Sequence, residues 1–161
     1  IEAIPFSYNP IYLMAIKKNP LAKQKKRISL KQLAEQPLIF REPGSVIRYV
    51  IEKHFAAKGL KPNARMILSN NEAIKHALIG QLGISVLSLH TIFLEGAKGP
   101  IALLNVEGFP VPRKWHVVYR KNRELSVVAK SFVDFLCDEG KVLSQKIDQL
   151  AQQIDPRHTC K

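Results

Sequence analysis

The chain has 161 residues, of which 46% are hydrophobic and 24% charged, and its formal net charge is +12. This composition is typical of a folded globular protein with one domain or two small lobes, and no apolar run reaches the roughly 20 residues of a membrane span. The positive charge favours anionic partners such as nucleic acid or phosphorylated metabolites, although a solvated basic surface would explain it equally well.

The two cysteines are too few for a disulfide framework. Cys137 and Cys160 are therefore expected to be reduced thiols in a cytoplasmic protein. Residues 1–6 contain no methionine, no basic start and no apolar core of a signal peptide, so we expect the chain to be a fragment of a longer protein.

Predicted strands and short helices alternate in the first half of the chain. Apolar runs predict strands at 11–16, 38–40 and 64–68. Ser29 and Gln32 form a capping box that begins a helix of about two turns. A second helix follows the turn at 41–45, with Ser45 as its N-cap, and ends at Gly59.

The stretch 69–88 predicts a helix that returns tightly into a strand. Ser69 and Glu72 form a second capping box at its start. Gly80 and Gly83 are expected to end the helix, because glycine adopts a positive φ at low cost. The free amides at the start of this helix favour an anion or a carbonyl-rich ligand.

The second half of the chain continues the alternation and ends in a longer helix. The sequence predicts strands at 101–106 and 115–119, a short helix at 91–94 and a packed or fraying helical extension at 143–154. The long helix begins after Ser126 and is expected to bury a stripe formed by Val128, Phe132 and Phe135. Gly140 is expected to interrupt it.

This alternation predicts an α/β fold with a largely parallel sheet. Ligands of such folds bind at the carboxyl ends of strands and at the N-termini of helices. Two such places are visible, at residues 42–45 and 69–71.

Three runs of residues resemble the effector-binding domain of LysR-type transcriptional regulators. They are "NPLA" at 19–22, "ISLKQLAEQPLIFREPGSVIR" at 28–48 and "SNNEAIKHALIGQLGISVLSLHT" at 69–91. A fourth run, "GFPVPRKWHVVYRKNRELSVVAKSFVDFL" at 108–136, is similar to the subgroup that controls the RuBisCO (Calvin-cycle) operon. The resemblance covers nearly all of the chain up to about Leu136.

The resemblance implies an α/β fold like that of type 2 periplasmic binding proteins, with two lobes joined by two crossing strands. Residues 13–111 would form the second lobe. The first lobe would be incomplete, with remnants at 1–12 and 112–140, and residues 141–161 would be a helical extension and tail. The DNA-binding domain of the family is absent from the chain, so DNA contact is expected only through that missing domain.

The resemblance also implies an effector site in the cleft between the lobes. Carried onto this sequence, its residues are Gly44, Ser45, Arg48, Ser69, Asn70, Asn71 and Ser85. Glycine would let the backbone approach the ligand, Ser and Asn would supply neutral hydrogen bonds, and Arg48 would hold a carboxylate or phosphate. Helix capping alone would equally account for Ser45 and Ser69, and Arg48 is also compatible with a solvated charge. Glu42 would repel an anion unless Arg41 or Arg48 neutralises it.

Neither a metal site nor catalysis is expected. The five histidines lie on different predicted elements without ligand spacing, and we expect no cofactor. Ser88 and His90 lie two residues apart on a predicted strand, but no nucleophile elbow or acid partner accompanies them. The chain is therefore not expected to be an enzyme.

The favoured function is an effector sensor that binds a small anionic metabolite and shifts between two lobe or dimer arrangements. The resemblance implies metabolites of carbon fixation, such as ribulose bisphosphate, phosphoglycolate or a nicotinamide nucleotide, and self-association into dimers or tetramers. No membrane partner is expected. The alternatives are a solute-binding protein of a transporter, an enzyme on the same scaffold, and direct binding of nucleic acid by the basic surface, which would depend steeply on salt.

Overall fold

A computed structural model describes residues 1–155 of the protein. Its strands are β1 (Glu2–Tyr8), β2 (Ile11–Ile16), β3 (Leu38–Arg41), β4 (Ala64–Leu68), β5 (Ile84–Ser88), β6 (Ile101–Leu103) and β7 (Lys114–Tyr119). Its helices are α1 (Leu30–Ala34), α2 (Val46–Ala56), α3 (Asn71–Ile79) and α4 (Val127–Ile154), with 3₁₀ helices at Pro20–Lys23 and Leu89–Ile92. None of the helices in this range is long and apolar enough to cross a membrane. Cys160, predicted to be a reduced thiol, and His158 lie outside the described residues.

The main sheet has five strands in the order β4-β3-β5-β2-β6. β3 runs parallel to β4 and β5, whereas β2 runs antiparallel to β5 and β6. The α/β class is confirmed, and the sheet is largely parallel as expected: β3, β4, β5 and β6 run in one direction, and only β2 opposes them. Helical connections make β3, β4 and β5 parallel, as the alternation predicts. β2 instead enters directly from a second sheet, so no helical crossover sets its direction.

β2 is buried on both faces, and its residues alternate between two cores. Ile11, Leu13 and Ala15 pack in one cluster with residues of α1 and α2. Tyr12 and Met14 pack in the other with residues of α3 and the distal part of α4. Each fully buried large apolar side chain contributes about 1.5–3 kcal/mol. The apolar run predicted as a buried strand therefore lies at the centre of the molecule.

β1 and β7 form a separate antiparallel pair, which we call the ribbon. The register runs from Glu2 opposite Tyr119 to Tyr8 opposite Lys114 and shifts after Pro5. No strand is predicted at 2–8 from the sequence. Pro5, which has no amide proton for a ladder bond, stands at the register shift of this strand.

Two crossing segments connect the ribbon with the main sheet. The Asn9 amide donates to the Arg113 carbonyl oxygen at 2.7 Å, and the Ile11 amide donates to the Val111 carbonyl oxygen at 3.0 Å. The two segments are therefore hydrogen-bonded to each other where the chain passes between the sheets, as the fold class implies. The lobe boundaries at 13–111 stay a prediction.

α4 runs without interruption through Gly140, so the expected break there is wrong. Gly140 is buried against β1, and a methyl group at this position would overlap the carbonyl oxygen of Phe6. The glycine therefore allows α4 to approach β1 closely, and it does not end the helix. The predicted extension is packed, since Ile147 and Leu150 lie in the second core cluster.

The predicted core stripe on α4 is also wrong. Val128 is 80% exposed, and Phe132 and Phe135 are each 58% exposed. The half-buried positions in this half of α4 include Ala129 and Val133. The half-buried Leu136 lies on the same inward face, which leads to Gly140, so this face lies at a different angle around the helix from the predicted stripe.

The end of α3 differs from the expectation that its glycines adopt a positive φ. Gly80 has φ −72°, and the positive φ of 62° belongs to Gln81. Gly83 is buried where a methyl group would overlap the Pro37 carbonyl oxygen. The same carbonyl accepts the Ile84 amide at 3.0 Å, so Gly83 allows β5 to approach that segment.

Two predicted elements in the second half have other bounds than expected. The strand predicted at 101–106 ends at Leu103, and Val106 makes an isolated bridge with Ile28. The helix predicted at 91–94 is the 3₁₀ helix at Leu89–Ile92.

Candidate functional site

The carboxyl ends of β3, β4 and β5 lie at the same edge of the main sheet, because these three strands are parallel. We call this the carboxyl edge. α2 begins there after β3, α3 begins there after β4, and the 3₁₀ helix at Leu89–Ile92 follows β5. The antiparallel β2 begins at the same edge, where Ile11 lies opposite Ser88. The edge therefore brings helix N-termini beside the crossing segment.

The start of α2 presents a glycine and an uncommitted hydroxyl. Gly44 has φ 89°, with open space around the position of a Cβ, so its conformation rather than crowding requires glycine. Ser45 is the N-cap residue of α2, as predicted, but its side chain makes no capping hydrogen bond. Its hydroxyl is available for a ligand.

Arg41 connects the starts of α2 and α3. Its guanidinium forms a fork with the Glu42 carboxylate, at 2.8 and 2.9 Å, and donates to Asn71 Oδ1 at 2.7 Å. This pairing raises the pKa of Arg41 and lowers the pKa of Glu42. The predicted neutralisation of Glu42 is therefore made by Arg41. Asn71 is engaged through its side-chain oxygen.

Arg48 is held on its own helix. It pairs with Glu52 at 2.7 Å, donates to the Arg41 carbonyl oxygen at 3.3 Å and lies 5.7 Å from the centre of the Phe40 ring. A surface pocket of about 430 Å³ is lined by Arg48 together with Gly44 and Ser45, and also by Pro43, Val46, Tyr49 and Glu52. The structure thus gathers three of the predicted residues in one depression.

The start of α3 differs from the predicted capping box. Asn70, not Ser69, is the N-cap residue, and its Oδ1 accepts the Ala73 amide at 2.7 Å. Glu72 pairs with Lys75 at 3.0 Å instead of reaching back to Ser69. The helix begins one residue later than the box requires, so the side chain of Ser69 remains exposed beside the carboxyl edge.

Ser85 is placed differently from the other predicted residues. It is 1% exposed, and its hydroxyl donates to the Ile39 carbonyl oxygen at 2.7 Å. This bond links β5 with β3 inside the sheet, so the hydroxyl is already satisfied. The effector-binding roles of all seven residues stay predictions.

Five residues at or beside the crossing segments were not among the predicted site residues. The Ser88 hydroxyl donates to Asn9 Oδ1, and Nε2 of His90 lies 2.9 Å from the Tyr8 carbonyl oxygen. The His90 ring stacks on Trp115 with 4.4 Å between ring centres. Burial lowers the pKa of His90, although the bond to Tyr8 opposes this shift. The pair Ser88 and His90 was visible in the sequence, but its partners lie far away in the chain.

The contacts of Ser88 and His90 also give them no catalytic geometry. Ser88 ends β5 and His90 lies in the following 3₁₀ helix, so they do not share a strand as predicted. The His90 ring faces Tyr8, and only its backbone amide contacts the Ser88 hydroxyl, at 3.3 Å. Among residues 1–155, no group of three His, Cys, Asp or Glu side chains is placed to hold a metal ion.

The carboxyl edge combines helix N-termini, neutral donors and an arginine that is already paired. Such an arrangement suits a small anion, since amides and the helix dipole stabilise negative charge. The fold and this edge define a ligand-binding α/β domain of the type 2 periplasmic-binding-protein class.

The chain belongs to the LysR substrate binding domain family, whose sequence model matches residues 1–141. The predicted family is thereby confirmed. The activator CmpR of Synechocystis sp. is 47% identical over 139 residues, covering 86% of this chain and 45% of that protein. The RuBisCO operon transcriptional regulator of Allochromatium vinosum is 41% identical over 140 residues, covering 87% of this chain and 46% of that protein. The chain thus spans about half the length of these relatives, which confirm the predicted subgroup.

A solved structure supports the same assignment. The regulatory domain of Synechocystis CcmR in complex with 2-PG superimposes with a TM-score of 0.81 at 36% identity, covering 87% of this chain and 67% of that chain. The effector-binding domain of QuiR, with a TM-score of 0.71 and 23% identity over 88% of this chain and 66% of that chain, shares the fold.

Proposed function

We propose that this chain is the effector-sensing domain of a cytoplasmic LysR-type transcriptional regulator that controls carbon-fixation genes. The relatives named above include regulators of carbon-fixation operons, and this supports the assignment. The proposed role is binding and conformational response, and it requires no catalytic residue. DNA contact would be made by a domain outside this chain.

We propose 2-phosphoglycolate as the first candidate effector. The observation that carries this proposal is the meeting of the α2 and α3 N-termini at the carboxyl edge, together with a 36% identical neighbour whose complex contains 2-PG. Ser45 offers a free hydroxyl there. The phosphate would be held by helix amides and neutral donors, and Arg41 would become available if the ligand displaced Glu42.

The test is the shift in melting temperature of this chain with 2-phosphoglycolate. Ribulose bisphosphate, NADPH and 2-oxoglutarate serve as competing candidates, and sulfate as the ionic control. Ligand at 100 times its dissociation constant adds about 2.7 kcal/mol of stability, which corresponds to a shift of roughly 5–10 °C at this chain length. A shift with sulfate as large as that with 2-phosphoglycolate would contradict a specific site.

Ser45→Ala tests the site without disturbing a helix cap, because the Ser45 hydroxyl makes no capping bond. We expect the variant to keep the stability of the wild type and to lose most of the ligand-induced shift. Ser29→Ala is the control: its hydroxyl caps α1 in a capping box. That variant should melt lower yet retain the full shift. The reverse pattern would place the ligand elsewhere.

We further propose that the chain self-associates into dimers or tetramers. β4 stands at one edge of the main sheet and presents Ile67, which is 52% exposed. An edge strand with an exposed apolar side chain favours pairing with another copy. Sedimentation at several concentrations tests this, and a monomer at all of them would favour the solute-binding alternative.

A further inference from the structure

The last residue of β1 is held by side chains from two distant elements. The Tyr8 amide donates to Ser144 Oγ of α4 at 2.9 Å. The Tyr8 carbonyl oxygen contacts His90 Nε2 at 2.9 Å, and because a carbonyl only accepts, the proton of this bond lies on Nε2. Both backbone groups of one residue are therefore engaged just before the chain crosses from the ribbon into the main sheet.

His90 contacts both strands of the ribbon. It reaches β1 through Tyr8 and stacks on Trp115 of β7 with an angle of 28° between the rings. Next to it, Ser88 bonds to Asn9 of the crossing segment. The end of β5, which belongs to the carboxyl edge, is thereby tied to the ribbon.

Ser144 holds Tyr8 because α4 lies directly on β1. Gly140, one turn earlier on the same helix face, removes the side chain that would collide with Phe6. The Ser144 hydroxyl donates to the Gly140 carbonyl oxygen at 2.7 Å, which orients its oxygen toward the Tyr8 amide. One turn further, Ile147 lies in the core of the main sheet. α4 is thus a third connection between the ribbon and the main sheet, beside the two crossing segments.

We propose that Ser144 and His90 are positioning residues that clamp the Tyr8 backbone and set the resting arrangement of the ribbon relative to the main sheet. The clamp joins the carboxyl edge, through Ser88 and His90, to α4, through Ser144. A ligand that favours one arrangement at the edge would change the packing of α4 through this contact. The ligand response rests on the proposed function, whereas the clamp in the free protein does not.

The first test is amide hydrogen exchange by NMR in the free chain. Ser144→Ala removes the acceptor of the Tyr8 amide without weakening α4, since alanine is the better helix former. We expect exchange at Tyr8 to accelerate at least about fivefold, while the amide of Leu13 in the central strand stays slow. Ser126→Ala is the matched control, because that hydroxyl caps the same helix and bonds only to the Ala129 amide. Ser144→Thr keeps the oxygen and should restore protection.

The second test uses Trp115, which is the single tryptophan of the chain. His90→Phe keeps an aromatic ring against Trp115 but removes the Nε2 donor. We expect both His90→Phe and Ser144→Ala to increase quenching of Trp115 fluorescence by acrylamide, because the ribbon loosens, whereas Ser126→Ala should not. Unchanged quenching together with unchanged Tyr8 exchange in both variants would overturn the clamp.

The ligand response separates this inference from the proposed function. If 2-phosphoglycolate protects the wild type, we expect it to bind Ser144→Ala as well but to alter exchange in α4 less than it does in the wild type. An equal change of hydrogen exchange in α4 of the two proteins would overturn the coupling between the ligand and α4. If 2-phosphoglycolate does not bind the wild type, the proposed effector is wrong. Amide hydrogen exchange at Tyr8 in the free protein still tests whether the clamp exists.

Discussion

Glycines at three positions have different physical roles, and sequence alone does not separate them. Gly44 has a positive φ, which sequence reasoning associates correctly with a turn. Gly83 and Gly140 instead lie where another backbone approaches too closely for any side chain. Both were predicted to end or interrupt a helix. A close approach depends on a distant part of the chain, so no local pattern reveals it.

Gly140→Ala should destabilise the protein even though alanine favours a helix by about 1 kcal/mol. The added methyl group would overlap the Phe6 carbonyl oxygen and force α4 away from β1. Overpacking of this kind costs typically 1–3 kcal/mol or more, so we expect a net loss of about 1–2 kcal/mol in urea unfolding. Ser131→Ala, at an exposed position on the same helix, should be nearly neutral. Equal stability of the two variants would show that α4 does not approach β1 this closely.

At the scale of elements, buried strands and helix starts follow from local patterns. β2 is predicted by its unbroken apolar run, and the capping box of Ser29 with Gln32 is confirmed at 3.1 and 3.2 Å. The inward face of α4 was predicted wrongly, because its apolar residues occupy more than one side of the helix. The candidate site was predicted at the starts of α2 and α3, but the contacts of Tyr8 were not, since Tyr8 and Ser144 are 136 residues apart.

The position of the α3 cap gives a direct comparison of two neighbouring residues. Asn70→Ala removes the bond to the Ala73 amide and should cost about 1 kcal/mol of unfolding free energy. Ser69→Ala should change stability by only a few tenths of a kcal/mol, as is usual for an exposed position without a structural bond. Thermal or urea unfolding of the two variants measures the difference. A larger loss for Ser69→Ala would instead support the capping box.

At the scale of the whole molecule, a partly buried ion pair contributes to the dependence of stability on pH. Lys75, a buried residue on α3, pairs with Glu95 at 2.5 Å and Glu72 at 3.0 Å. Burial lowers the pKa of Lys75, but the two carboxylates outweigh it and the net shift is upward. The same pairing lowers the pKa of Glu95. Its oxygen Oε2 is buried without a hydrogen-bond partner in the described part of the chain.

Acid should therefore destabilise the protein in two pH windows. A depressed pKa means that the unfolded chain binds more protons, so stability rises with pH. For His90 the contribution is complete above the ordinary histidine pKa of about 6.5 and is lost as the pH falls below it. For Glu95 the contribution is complete above the ordinary glutamate pKa of about 4.5 and is lost as the pH falls through the depressed pKa.

Urea unfolding between pH 3 and 8 measures these contributions. Glu95→Gln should flatten the stability curve in the lower window only, and His90→Phe in the upper window only. His116→Gln, at an exposed position of β7, is the control and should leave both slopes in place. If the unfolding free energy depended on pH in the same way in all variants, the acid sensitivity would come from other groups.

The position of Ile147 and Ala151 in the second core cluster, against Tyr12 and Met14 of β2, has a consequence for biosynthesis. A ribosome delivers β2 early and the distal half of α4 more than a hundred residues later. Until residue 151 has left the exit tunnel, the face of β2 that carries Tyr12 and Met14 lacks the part of its cover that α4 supplies, so the second core cluster stays incomplete. Such long-range closure slows folding and leaves apolar surface exposed during synthesis. The growing polypeptide should therefore depend on chaperones until α4 emerges.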